Sequence, residues 1–144
     1  MFRKTFTLFV LLAGLTGCEY SRDVSRDPRF RGMIGETAVT KQRLRLYNIP
    51  HQKPNRLLLS KADHGEDLLI AALPPGQPVK LTGVMLYRGM NTVNECLFGE
   101  LTYRGRTYLF TYDLRTSLEP ESWRDVHEVF AVMARYETTD RRWD

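Results

Sequence analysis

Apolar residues follow the pattern of short strands through most of the chain after residue 36. Segments 37–47, 56–60, 68–73 and 79–87 are apolar or alternate between apolar and polar positions, as half-buried strands do. Segments rich in Pro, Gly or charge separate them. The clearest of these is 73–79, where Pro75-Gly76 predicts a type II turn. The pattern therefore predicts a mainly β domain.

The strongest local signal is a β-hairpin over residues 95–114. Two runs of aromatic and β-branched residues flank Tyr103-Arg104-Gly105. A two-residue turn places Leu101, Gly99 and Leu97 opposite Tyr108, Phe110 and Tyr112, whereas a bulge at Gly105 places Phe98 opposite Phe110. The sequence leaves both registers open. In either register the aromatic side chains are predicted to be mainly core residues.

After residue 120 the spacing of apolar residues changes from that of a strand to that of a helix. Trp123, Val126, Phe130 and Met133 recur at steps of three and four, which predicts a C-terminal helix over 120–135. A strand over 126–134 is the competing interpretation. Residues 137–144 are a polar tail that contains Trp143, a candidate exposed contact. The domain is accordingly expected to span 36–136.

The first 18 residues have the layout of an export signal. Arg3 and Lys4 precede an apolar run over 6–13, small residues follow, and the segment ends in Leu-Thr-Gly-Cys at 15–18. This ending resembles the lipobox of bacterial lipoproteins. The resemblance implies cleavage between Gly17 and Cys18, a diacylglycerol on the Cys18 sulfur and an acylated amino group.

Physical arguments agree with a lipid anchor. The apolar stretch over 6–17 is shorter than the roughly 20 residues that a transmembrane helix needs. Two or more acyl chains make anchoring stable where one does not. For a Gram-negative bacterium, the lipoprotein resemblance also implies the outer membrane, because Glu19 rather than Asp follows the cysteine. We expect the anchored domain to face the periplasm. Interleaved charges over 18–35 predict a flexible tether between the anchor and the domain.

Composition limits the classes of partner. Removal of residues 1–17 leaves enough chain for one domain. The formal charge of +4 falls to about +2 once Arg3 and Lys4 are removed, and so small an excess does not indicate a surface that binds nucleic acid.

If Cys18 carries lipid, Cys96 has no intrachain disulfide partner and is expected to be a buried, unreactive thiol.

The sequence does not indicate an enzyme. His51, His64 and His127 lie far apart and lack metal-ligand spacing, and Cys96 lies in an apolar strand pattern rather than at a helix start. No nucleophile elbow or phosphate-binding glycine loop is present. We therefore expect no catalytic residues, no metal and no cofactor.

Short strands, the Pro-Pro-Gly turn at 74–76 and the hairpin resemble the small SH3-like barrels of bacterial envelope proteins. The resemblance implies an SH3-like barrel with an added C-terminal helix. A transthyretin-like β-sandwich, as in some secretion-system lipoproteins, is the alternative fold.

Two non-catalytic functions fit these features. The first is a membrane-anchored structural or assembly accessory that contacts an envelope protein complex, where confinement to a surface raises effective concentration. The second is a peptidoglycan-binding module with a groove lined by Tyr103, Tyr108 and Tyr112. The first is favoured because the aromatic residues alternate as core residues do.

Replacement of the lipobox cysteine tests the anchor. In Cys18→Ser the acceptor sulfur is lost, so we expect an unprocessed and unlipidated chain. Mass spectrometry of the N-terminal peptide and membrane fractionation measure both effects. A Cys96→Ser control should remain lipidated. A Cys18→Ser chain that is cleaved and membrane-bound like the parent would contradict the lipobox interpretation.

Overall fold

The computed structural model describes residues 20–50, 56–115 and 125–133. Within these ranges the chain is mainly β, as predicted, and it contains little helix. The described strands are β1 (Tyr20–Asp23), β2 (Thr37–Thr40), β3 (Leu44–Tyr47), β4 (Leu57–Ser60), β5 (Leu69–Leu73), β6 (Pro78–Arg88), β7 (Val93–Tyr103), β8 (Arg106–Arg115) and β9 (Phe130–Val132). Short 3₁₀ helices cover Pro28–Phe30 and Glu66–Leu68, and one α-helical turn, α1, covers Val126–Val129.

The described strands form one sheet that curls into a half-barrel. Its order is β5-β3-β4-β8-β7-β6-β2-β9, and β1 also pairs with β6. Strand β6 is long enough to pair with β2 near its start and with β1 near its end. The pairs are antiparallel except β4 with β8, which is parallel.

The predicted hairpin is strands β7 and β8. Leu101 lies opposite Tyr108, Gly99 opposite Phe110 and Leu97 opposite Tyr112. The two-residue register is therefore confirmed, and the bulged alternative is wrong. Arg104 and Gly105 both have positive φ, 49° and 77°, which matches the right-handed twist of a two-residue hairpin turn.

Gly99 permits the packing of the hairpin on its inner face. A Cβ atom at this position would overlap the Phe110 ring and lie 2.8 Å from the Lys80 carbonyl oxygen. The missing side chain lets Phe110 lie across β7 and become fully buried. The inner face of the hairpin thus forms the centre of the core.

Residues 20–35 are part of the fold, so the predicted tether is wrong over this segment. The Val24 N–H donates to the Val84 carbonyl at 2.9 Å, and the Gly35 N–H donates to the Leu81 carbonyl at 2.7 Å. Phe30 and Met33 are buried in the main core cluster. Exposed strand β1 has no apolar alternation because its attachment to β6 is made by backbone hydrogen bonds.

The predicted C-terminal helix is wrong at Phe130–Val132, which form strand β9. Residues Val126–Val129 of the predicted range form α1, where the Asp125 carboxylate accepts a hydrogen bond from the His127 N–H. Strand β9 then pairs with β2 and buries Phe130 edge-on against Tyr112, with ring centroids 5.6 Å apart. Pairing with β2 therefore overrides the helical spacing. Segments 116–124 and 134–144 lie outside the described residues.

Buried Thr40 fixes the turn between β5 and β6. Its hydroxyl donates to the Pro74 carbonyl at 3.1 Å and accepts from the Gln77 N–H at 3.1 Å. Its backbone N–H donates to the Gln77 carbonyl, and its carbonyl accepts from the Gly76 N–H. Gly76 has φ 86°, as the predicted type II turn requires.

Removal of the Thr40 hydroxyl should destabilise the fold. Thr40→Val keeps the side-chain shape but leaves the Pro74 carbonyl and Gln77 N–H without that partner, at a cost of about 1–3 kcal/mol. Urea unfolding measures the free energy of unfolding, and we expect the same m-value for the variant and the parent. The matched control is Thr102→Val, whose hydroxyl is exposed and contacts the exposed Thr107 hydroxyl, with an expected change within about 0.5 kcal/mol. Equal effects of the two substitutions would contradict this role of Thr40.

Candidate functional site

The 3₁₀ helix over Pro28–Phe30 brings a cationic side chain to a buried carboxylate. Asp27 precedes this helix and its carboxylate accepts from the Arg29 N–H at 3.0 Å, while Pro28 begins the turn and Phe30 anchors it in the core. Glu95 is on the inner face of β7, two residues before buried Leu97, and only 3% exposed. The helix thus positions Arg29 beside Glu95.

The Arg29 guanidinium binds two carboxylates. Its Nη1 donates to Glu95 Oε1 and its Nη2 to Glu95 Oε2, each at 3.0 Å. Its Nε and Nη2 also donate to the two oxygens of Asp27, each at 3.1 Å. Parallel hydrogen bonds of this kind match the planar fork of arginine to a carboxylate. We call Asp27, Arg29 and Glu95 the clasp.

Hydrogen bonds within the clasp shift the pKa values of Asp27 and Arg29. Hydrogen bonds from the side chain and backbone of Arg29 lower the pKa of Asp27. Burial alone would lower the pKa of Arg29, but hydrogen bonds to Asp27 and Glu95 outweigh it and raise that pKa. Because the pKa of Asp27 is lower in the folded chain than in the unfolded chain, its ionised carboxylate stabilises the fold at pH values above the ordinary Asp pKa. This stabilisation is lost as the pH falls through the lowered pKa.

A cavity of about 420 Å³ lies beside the clasp. Its walls include Phe30, Leu114 and Val126, and Asp125 and His127 line it as well. The guanidinium already holds both carboxylates of the clasp. The clasp therefore joins residues 20–35 to β7.

The structure does not bring the three predicted tyrosines to one exposed groove. Tyr112 is fully buried, so its assignment to a binding surface is wrong. Tyr103 and Tyr108 are half-buried and pack against the core, and the Arg104 guanidinium lies 5.2 Å from the centroid of the Tyr103 ring. The predicted core role is confirmed for Tyr112, whereas Tyr103 and Tyr108 lie at the edge of the core. Gly17, Cys18 and Trp143 lie outside the described residues.

Cys96 is a free thiol on the outer face of β7, half-buried rather than in the main core cluster. Its Sγ donates to Asp113 Oδ1 at 3.4 Å. Burial raises its pKa strongly, and the negative charge of Asp113, the hydrogen bond and the charge of Glu95 add to the effect. The thiol is therefore protonated at neutral pH, and nucleophilic attack, which needs the thiolate, is disfavoured.

A Ser–His contact lies in the acidic turn after β4. His64 Nε2 is 3.2 Å from Ser60 Oγ, which also accepts from the Ala62 N–H at 3.1 Å. The His64 ring packs edge-on against Tyr47, with centroids 5.0 Å apart. Short sequence separation and the backbone bond to Ser60 make this contact a turn-stabilising one.

Among the described residues, no three His, Cys, Asp or Glu side chains are placed to hold a metal ion. His51 lies outside them. Over the same part of the chain, no helix has the length and apolar character needed to cross a membrane.

Comparison with protein-family models, characterised proteins and solved structures finds no match for this chain.

Sequence reasoning missed the clasp. One signal was available, since Glu95 occupies an apolar phase of the β7 alternation, in line with Leu97, Gly99 and Leu101. An acidic residue at such a position implies a buried partner. Nothing in the sequence identifies that partner as Arg29, which lies 66 positions away.

Loss of the arginine should destabilise the fold. Arg29→Met leaves the buried Glu95 carboxylate without its bidentate donor, at a cost on the order of 2–3 kcal/mol. Chemical denaturation measures the loss. Arg29→Met combined with Glu95→Gln should recover part of it, because the uncompensated charge is gone.

The matched control is Arg31→Met, at an exposed residue next to the same helix, with an expected change within about 0.5 kcal/mol. Equal unfolding free energies for Arg29→Met and the parent would show that the clasp does not stabilise the fold.

Proposed function

We propose that this protein is a lipid-anchored envelope lipoprotein of the outer membrane, facing the periplasm, which acts as a non-catalytic structural or assembly accessory. The observation that carries the proposal is Leu-Thr-Gly-Cys at 15–18 after a charged start and a short apolar run. Acylated Cys18 confines the domain to a membrane surface, where weak contacts with a protein complex become effective.

Exposed apolar side chains on the outer face support protein contacts. Ile70 on β5 and Leu109 on β8 are about half exposed. Ile70 has no counterpart on β3, because the register shifts between Leu46 and Tyr47. Such a bulge protects a sheet edge from pairing with other chains, so contact through side chains is favoured over strand addition.

The peptidoglycan alternative loses support from the buried position of Tyr112. A glycan platform needs exposed aromatic faces, and Tyr103 is covered on one side by Arg104. The accessory role does not depend on these rings.

We also propose the SH3-like barrel as the finer description of the fold. The short strands and the curl of the sheet support it. The sandwich alternative requires two packed sheets, whereas the described strands belong to one.

Site-specific photo-crosslinking in cells tests the accessory role. A photoreactive residue at Ile70 or Leu109 should give an adduct with an envelope protein, because these apolar side chains face outward. The control position is Arg104, exposed at the tip of the β7–β8 turn, where we expect no adduct. Mass spectrometry of the adducts identifies the partner.

Sedimentation with purified peptidoglycan tests the glycan-binding alternative. Saturable sedimentation with peptidoglycan that is lost in folded Tyr108→Ala, together with no protein adduct from either position, would overturn the accessory role and favour the glycan-binding alternative.

A further inference from the structure

The fold begins almost at the proposed anchor. Only Glu19 separates Cys18 from Tyr20, the first residue of β1. Tyr20 lies opposite Arg88, the last residue of β6. The loop from β6 to β7 follows directly and is closed by a hydrogen bond from the Gly89 N–H to the Thr92 carbonyl at 3.0 Å. We call Tyr20, Arg22, Arg88 and the loop 89–92 the anchor end.

Chain length restricts how far the anchor end can move from the membrane. Two residue steps from Cys18 to Tyr20 span at most about 7 Å. Strands β6 and β7 each contain 11 residues and are therefore roughly 33 Å long at the usual rise of a strand. The anchor end thus stays near the bilayer, while the β7–β8 turn lies at the opposite end of these strands.

The chemistry of the anchor end suits a lipid head-group layer. Met90 is 79% exposed and Tyr20 is 48% exposed. Arg22 and Arg88 are both exposed beside them. Apolar and aromatic side chains enter the interfacial region, and guanidinium groups attract anionic head groups.

A cavity at the anchor end is also lined by a positive charge. It measures about 380 Å³, and Arg88, Thr92 and Asn94 line it without any carboxylate among the lining residues. The carboxylate on β1, Asp23, accepts a hydrogen bond from the Ser25 N–H at 2.8 Å, within its own turn. The lining of the cavity thus carries the positive charge of Arg88.

We propose that the anchor end is a membrane-docking surface whose occupant is the phosphate-bearing lipid head-group layer around the acylated Cys18. Met90 and Tyr20 enter the interface, and Arg22 and Arg88 lie at the phosphates. This inference rests on the proposed lipid anchor. It fixes the orientation of the domain, with β6 and β7 rising from the membrane.

A depth-sensitive label tests the docking surface. Lipidated full-length mature protein, in a Cys96→Ser background, is placed in vesicles of phosphatidylcholine and phosphatidylglycerol, with an environment-sensitive fluorophore on Met90→Cys. We expect a blue-shifted emission and quenching by lipids with spin-labelled head groups. The matched control is the same fluorophore on Ile70→Cys, also an exposed apolar position, where emission should remain that of a label in water.

Charge reversal separates docking from simple tethering. Arg22→Glu with Arg88→Glu should reduce quenching at position 90 several-fold. Arg104→Glu with Arg106→Glu, at the opposite end of the strands, should leave it unchanged. Vesicles of phosphatidylcholine alone should give weaker quenching at position 90, because the anionic head groups are missing.

Mass spectrometry of the same sample distinguishes two failures. Lipidated Cys18 with an aqueous label at position 90 overturns the docking surface and leaves the proposed function intact. Unlipidated Cys18 overturns both. Equal quenching at positions 70 and 90 also overturns the docking surface, since the domain then has no preferred orientation.

Discussion

The register of β7 against β8 is the constraint on which the rest of the structure depends. The two-residue turn at Arg104-Gly105 sets it, and Gly99 makes room for Phe110 across the pair. A shift by one residue would turn the inner side chains of one strand to the outer face of the other. Leu97 and Tyr112 could then not both lie in the core, and a slip of β7 would also turn Glu95 away from Arg29.

The clasp depends on that register and attaches the beginning of the domain. Residues 20–35 lie along β6 through backbone hydrogen bonds, and their ionic attachment to the sheet is the bidentate contact of Arg29 with Glu95. A buried carboxylate is costly without a partner, so the clasp ties the position of this segment to the position of β7.

Sequence patterns predicted the features that depend on local alternation. The hairpin was predicted from its two apolar runs, but the choice between its two registers depends on the backbone of the turn at Arg104-Gly105. Strand β9 lies within the competing strand interpretation over 126–134, which the sequence could not favour because Val126 and Phe130 also have helical spacing and the edge of β2 that β9 covers is a tertiary feature. Strand β1 is exposed throughout and shows no alternation, so its charges indicated a tether. At the candidate site the position of Glu95 was an available signal, whereas its pairing with Arg29 depends on the fold.

The pairing of β2 with β9 has a consequence for how the chain reaches its native state. The two strands come from opposite ends of the described sequence, and β4 likewise pairs in parallel with a distant strand, β8. Contacts between remote segments close large loops and slow the search for the native topology. The sheet therefore cannot be completed before β9 has been synthesised. Until then the edge of β2 that β9 covers is exposed and can pair with strands of other chains.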